Sequence, residues 1–312
     1  MLDRVSVARV AKIDDPERLA VSDGQLRELE GRVQRALADY DDSALEVMGY
    51  GEVTVILRMR ADRGDVACKR LPVFPTRERF ERYRALLDDY LSRLAAAQVA
   101  VPPTRLWHMD GSDGKVIAYC LQPAFPAETV ANIYLREAPP EQALEWFEAV
   151  LEATTRAVSP TVGFDVQASN WVWNDGELVY FDVTTPFLRD ERGREQLDVK
   201  LFMSSMPWAL REPVRVLLSR SIFDKFYTAR GAILDLLGNL FKERLGDLVP
   251  LFLSRANPML PEPITEAQVR AYYEEDARMW TLIQRLRGAD RWWQRHVRRR
   301  VYPFLLPGAI AR

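Results

Sequence analysis

Three oxygen-bearing side chains crowd one short stretch of this chain, GFDVQASNWVWNDGELVYFDVTT, residues 163–185. WVW and LVYF read as short strands, and NDGE between them as a tight turn. With Gly176 at the apex, Trp173 pairs with Val179 and Trp171 with Phe181, which sets Asn170 opposite Asp182. Directly opposed residues hold their Cβ atoms about 5 Å apart. An amide oxygen and a carboxylate at that separation suit a hard cation such as Mg²⁺, which takes one or two protein oxygens and completes its shell with water or phosphate. Asp165 lies on the loop entering the hairpin. It can reach the edge of the same site, where a base or a group orienting a hydroxyl would sit. Capping of a plain surface hairpin is the alternative for these three residues taken alone.

Other stretches bear on that choice. In GYGEV, Gly49 and Gly51 turn between two strands, and glycines there let backbone N–H groups approach phosphate. In VACKR, Lys69 sits on the next strand, where it can point under that turn or simply stand in water. Glu78 and Glu81 open the following helix. Either can pair with Lys69, and Glu81, deeper in the helix, is preferred.

The elements that must position these groups are readable from periodicity. DGQLRELEGRVQRALADY (23–40) has helical spacing, with Asp23 as its cap. ALEVMGYGEVTVILRMR (44–60) reads as strand, turn, strand, and DVACKRLPVF as a third strand. TRERFERYRALLDDYLSRLAAAQV (76–99) is a helix capped by Thr76. TRLWHM and VIAYCLQ, joined by DGSDGK, are two more strands. LQPAFPAE then reads as a linker, and PPEQALEWFEAVLEATTRAV (139–158) as a helix opened by proline. The expected fold is α+β: residues 1–122 form an antiparallel five-stranded lobe with a leading helix, and residues 123–312 a larger, mostly helical lobe.

Composition narrows the chemistry. The chain has 312 residues and a net charge of −2, ordinary for a globular protein and no general magnet for nucleic acid. Its two histidines cannot build a His-rich zinc site. Its two cysteines, Cys68 and Cys120, lie in apolar runs and read as reduced, buried thiols of a cytoplasmic protein. No apolar run is long enough to span a membrane.

These pieces, in this order, resemble the protein-kinase-like fold. GYGEVTV is similar to its Gly-rich loop, VACK to its strand lysine motif, FDVQASN to its catalytic loop and FDVTT to its D-F-G segment. The resemblance implies that Lys69 holds the α and β phosphates of ATP, that Asn170 and Asp182 hold Mg²⁺, and that Asp165 orients and deprotonates an acceptor hydroxyl. It places Gly49, Gly51, Glu81 and the hinge near Gln122 around the nucleotide. There are departures. Thr54 stands near the place of the third glycine, Gly163 and Phe164 stand where the catalytic-loop His-Arg pair belongs, and Val183 and Thr184 replace the Phe-Gly of D-F-G. The segment after Asp182 is short. The pattern is most similar to the aminoglycoside and choline phosphotransferase branch. It implies γ-phosphoryl transfer to a hydroxyl of a small molecule or natural product. A peptide Ser/Thr kinase, a nucleotidyl transferase and a pseudokinase scaffold are the alternatives. For the acceptor, YYEED (272–276) suits a cation, whereas RWWQRHVRRR (291–300) suits phosphate, an acidic peptide or a membrane surface, core packing being the simplest account of its two tryptophans.

Overall fold

The computed structural model describes residues 19–51, 54–174, 176–198, 201, 223–299, 301–302 and 305. Its smaller lobe is an antiparallel sheet of β1 (Val47–Tyr50), β2 (Val55–Met59), β3 (Val66–Arg70), β4 (Arg105–Asp110) and β5 (Val116–Pro123), in the order β1-β2-β3-β5-β4. The larger lobe is helical apart from the hairpin of β6 (Trp171–Asn174) and β7 (Glu177–Tyr180). The architecture is α+β and bilobal, consistent with a kinase-like arrangement.

Strand alternation gives the sheet two differently used faces. Gly49, Ile56, Lys69, Cys120 and Leu106 are successive cross-strand partners and form one row. The adjacent row of Val55, Arg70, Tyr119 and Trp107 points the other way. Over that second face lies α1 (Asp23–Asp39), whose Leu26, Leu29, Val33 and Leu37 pack against Val55, Leu57, Cys68 and Leu121. The cap of α1 is Ser22, one residue before the expected Asp23, and Ser22 and Gln25 close a capping box. Asp23 instead accepts a hydrogen bond from the Trp107 indole at 3.0 Å.

The face carrying Lys69 belongs to the larger core. Here α2 (Arg77–Ala96), capped by Thr76 as its sequence implies, buries Phe80, Tyr83, Leu87 and Tyr90. That core runs on through a single turn α3 (Ala131–Tyr134) and α4 (Pro140–Ala157), with Trp146, Phe147 and Val150 buried. It continues into α5 (Ala229–Lys242) and α6 (Val249–Ala256), which lie under α7 (Glu266–His296). α5 is buried around most of its circumference, through Ala232, Ile233, Leu236, Leu237 and Leu240. A helix of that kind is an internal strut, and a charged residue on it, Asp235, stands out. Part of the mostly helical lobe expected over residues 123–312, residues 199–200 and 202–222, lies outside the described residues.

One ion pair lies inside the smaller lobe. Glu30 of α1 accepts two hydrogen bonds from the Arg70 guanidinium, at 2.9 and 2.8 Å, and one from the Tyr119 hydroxyl at 2.5 Å. Burial pushes the Glu30 carboxyl up, but Arg70, Tyr119 and Gln34 outweigh it and hold it below its ordinary value of 4.5. The sign follows by linkage. The pair's contribution is fully present above about pH 4.5 and is lost as pH falls through the lower folded value. Glu30→Ala strands the Arg70 charge, and the expected loss is about 3–5 kcal/mol in urea unfolding at pH 7. The same variant should show a flatter acid limb than wild type. An unchanged limb would mean that Glu30 is not titrating against Arg70.

Candidate functional site

Asp182 lies two residues beyond the end of β7, and Lys69 reaches it from β3 of the smaller lobe. Their side chains meet at 2.7 Å, Lys69 16% and Asp182 31% exposed. Thr184 donates a second hydrogen bond to the same carboxylate oxygen, at 3.1 Å. Burial raises the Asp182 carboxyl, and the charge and hydrogen bond of Lys69 with the two hydrogen bonds of Thr184 more than reverse it, so Asp182 is ionised well below neutrality.

Asp182 is the ion-pair partner of Lys69 among the described residues. Neither glutamate proposed for that role takes it. Glu81 pairs with Arg84 at 2.7 Å and lies 3.9 Å from Arg77. Glu78 pairs with Arg82 on the outer side of α2. The helix positions that face the site carry tyrosines. The Tyr83 hydroxyl donates to the Thr184 carbonyl at 2.9 Å, and Tyr90, two turns on, donates to the Gly163 carbonyl at 3.2 Å. Thus α2 touches both loops of the site, one beside Asp182 and one beside Asp165. Sequence reasoning passed over these residues, although their spacing of seven puts them on one helix face.

The hairpin register differs by one residue from the expected one. Asn174 pairs with Glu177 across a two-residue turn, so Trp171 faces Tyr180 and Val172 faces Val179. The register is therefore not centred on Gly176, which takes a φ of +82°. Asn170 therefore lies opposite Phe181, whose N–H bonds the Asn170 carbonyl at 3.1 Å, and Asp182 comes one position later. The Asn170 side chain, nearly buried, donates to the Asp165 carbonyl at 3.2 Å. That contact turns its amide oxygen the other way.

Asp165 is half-buried, its carboxylate accepting the Gln167 N–H at 3.3 Å. Burial, then the nearby Asp235 and Asp182 carboxylates, push its pKa up to about 7, against a downward pull from Lys225. Aromatic packing holds its loop: the rings of Phe164, Trp171 and Tyr180 sit 4.6–5.5 Å apart, and the Trp171 indole donates to the Val166 carbonyl. Gly163 is needed there, because a Cβ would lie 2.8 Å from Phe187 and 3.1 Å from Tyr227.

The remaining sequence candidates fall at the rim. Gly49 stands in the Lys69 row of the sheet. Gly51 donates to the Thr54 carbonyl, and a Cβ on it would meet the Thr54 hydroxyl at 2.3 Å, while the turn residues 52 and 53 lie outside the described residues. Gln122 pairs with Ala67 near the end of β5, its side chain bonded to Thr104 at 3.1 Å. On α7, Tyr272 is held by Asp235 and Lys225. Trp292 and Trp293 are 57% and 46% exposed, so core packing does not explain them.

A family model described as a family of unknown function, DUF6206, matches residues 28–291. The chain belongs to this family. No curated protein matches the DUF6206 chain in sequence. Among solved structures it is similar to WaaP in complex with acyl carrier protein, at 18% identity and a TM-score of 0.33, over 83% of this chain and 98% of that one. It is also similar to the apo form of a thermostable mutant of aminoglycoside phosphotransferase APH(4)-Ia, at 12% identity and a TM-score of 0.34, over 73% and 94%.

Tyr83→Phe and Tyr90→Phe each leave a carbonyl of a site loop without its hydrogen bond. Each should lower stability by about 1–2 kcal/mol. Two turns apart, the losses should add to within about 0.5 kcal/mol in the double variant. Chemical denaturation of the four proteins measures this, and a double variant no worse than either single one would deny that α2 ties the two loops separately.

Proposed function

We propose that this chain is an ATP- and Mg²⁺-dependent phosphotransferase, which moves the γ-phosphoryl group to a hydroxyl of a small molecule. The observation that carries the reading is the 2.7 Å contact of Lys69 with Asp182, between strand β3 and the end of the hairpin, with Asp165 near enough for Asp182 to act on its charge. A lysine, a carboxylate and a second, basic carboxylate on three separate segments have no packing reason to gather half-buried. Phosphoryl transfer gives one, because it rests on positioning and charge neutralisation.

The donor set fits the cation. Asp182 offers a carboxylate that is ionised at neutral pH, and Asn170 an amide oxygen turned away from its bonded nitrogen. Both are hard oxygens, the kind Mg²⁺ prefers. Bound there with phosphate oxygens and water, the ion supplies charge neutralisation to the phosphates. Lys69 sits where its ammonium can turn from Asp182 to the α and β phosphates. Asp165, with its raised pKa, can accept the proton of an attacking hydroxyl near neutral pH. Gly49 and Gly51 border the phosphates, and the backbone near Gln122 borders the base. A small-molecule acceptor, as in the aminoglycoside and choline phosphotransferases, is favoured because loop packing takes the place of the His-Arg pair of the catalytic loop.

The test is thermal stability on titration with ATP, with and without Mg²⁺, together with release of label from the γ position. A ligand bound only by the native state raises stability by RT ln(1 + [L]/Kd), about 2.7 kcal/mol at a hundredfold excess over Kd. Wild type should show a Mg²⁺-dependent rise of several degrees. Asp182→Asn should lose it. Asp165→Asn should keep it and lose turnover with an acceptor. A wild type indifferent to both nucleotide and metal would sink the reading.

A further inference from the structure

A second charged cluster lies beside Asp165, and the site as described so far makes no use of it. Lys225 opens a short turn, Lys225–Tyr227, just before α5. Its ammonium donates to the Asp235 carboxylate on α5 at 2.6 Å and to the Tyr272 hydroxyl on α7; that hydroxyl in turn donates to the same Asp235 oxygen. The turn is strapped to the loop of the site. The N–H of Phe164, the residue before Asp165, bonds the Phe226 carbonyl at 2.9 Å, and the N–H of Gly163 bonds the Phe187 carbonyl at 2.8 Å. Lys225 is accordingly the cation that pulls the Asp165 carboxylate back down against burial and its acidic neighbours.

A structural ion pair tying the turn to α5 and α7 would explain the 2.6 Å contact. It leaves three features unexplained. First, the pair is one-sided: the Asp235 side chain is 2% exposed and that of Lys225 23%. The carboxylate is sealed in the core, and part of the lysine side chain reaches solvent. Second, an ammonium has three N–H donors. Two of Lys225's meet Asp235 and Tyr272; the ammonium also lies 4.8 Å from the Phe226 ring, and its third N–H has no oxygen or nitrogen acceptor among the described residues. Third, the other Asp235 oxygen is buried and makes no hydrogen bond, on a helix otherwise filled with apolar residues. Burying a half-satisfied carboxylate is costly unless it holds something in place. What it holds here is a lysine at the edge of the loop that carries Asp165.

We propose that Lys225 is a second cation of the phosphoryl-transfer site, contacting the transferred γ-phosphoryl oxygens, with Asp235 and Tyr272 as the positioning residues that hold it. This rests on the phosphotransferase reading. In the step, the bond from the γ-phosphorus to the β–γ bridging oxygen breaks and the electron pair leaves with ADP. The acceptor oxygen forms the new bond to phosphorus, and its proton passes to Asp165. Lys225 exchanges no proton. It faces the equatorial oxygens, where charge is carried through the transfer. Lys69 serves the α and β phosphates and Lys225 the γ group, so the two lysines divide the triphosphate between strand and turn.

That division gives a test that needs no acceptor. Binding of Mg²⁺–AMP-PNP and of Mg²⁺–ADP is measured by calorimetry on wild type, Lys69→Met, Lys225→Met and Lys225→Arg. Lys225→Met can strand the Asp235 charge, so the double variant Lys225→Met with Asp235→Asn, which removes both charges, is measured as well. Lys225→Met and the double variant should lose at least about tenfold in affinity for AMP-PNP and less than about twofold for ADP, the size of one charge-assisted contact. Lys225→Arg should recover part of the loss, and Lys69→Met should weaken both nucleotides. If the Lys225 variants bind both nucleotides as wild type does, or lose both alike, the Lys225 role is overturned and the phosphotransferase reading stands. A wild type that binds neither nucleotide overturns both together.

Discussion

The structure is organised around a contact that neither lobe can make alone, the ion pair of Lys69 with Asp182. Lys69 must face Asp182, so β3 must present its odd-numbered residues to that side. The next residue, Arg70, then necessarily faces α1. Two consecutive cations on one strand point to opposite faces, and each has one carboxylate waiting for it: Asp182 for Lys69 and Glu30 for Arg70. A one-residue slip of β3 would put an uncharged neighbour, Cys68 or Leu71, opposite one of the two carboxylates and break both native pairs. The register of this strand is therefore fixed electrostatically as well as by the apolar pattern of its neighbours. The leading helix α1 acquires a reason to exist, because it supplies the carboxylate that holds β3 from behind.

In front, α2 does its positioning without charge. A glutamate on this helix would compete with Asp182 for Lys69, and the glutamates that are present point to arginines at the surface. Tyr83 and Tyr90 reach past the lysine to the backbone of both site loops. A buried neutral hydrogen bond costs less to form than a buried ion pair, and a shift of the helix does not break it into two stranded charges. With α2 packed into the larger core along a full face, the two loops and the strand lysine are set by the same packing that folds the chain.

How far the sequence displays all this depends on the range of the interaction. The five strands, the Thr76 cap and the helix from Pro140 are written in local periodicity, and the structure has them where the pattern puts them. The hairpin was legible as a hairpin. Its register was not, because NDGE admits a register centred on Gly176 or one that pairs Asn174 with Glu177, and that choice decides whether Asn170 faces Asp182 or Phe181. The Lys69 partner was misplaced onto α2 because a helix glutamate close in sequence looked nearer than an aspartate 113 residues away. Lys225 and Asp235 left no local signal at all. Ten residues apart, on a turn and a helix, they come together with Tyr272 and Asp165 only through tertiary packing, which periodicity does not encode.

Gly163 and Phe164, in the loop that carries Asp165, answer to one packing constraint. Gly163 stands where its surroundings leave no room for a side chain, since Phe187 and Tyr227 occupy the space a Cβ would need. Phe164 stands where a charged residue would be buried among the rings of Trp171 and Tyr180, and its own ring fills that place. Both residues anchor the loop by apolar packing. A loop anchored by an arginine can be released or recruited by an anion that the arginine binds, because the anchor has a competing partner. A loop anchored by three aromatic rings and a glycine has no such partner and is set when the core closes. The same economy explains why the carboxylate of Asp165 can sit half-buried with its pKa raised: its place is secured by its neighbours' packing, and its charge need not be.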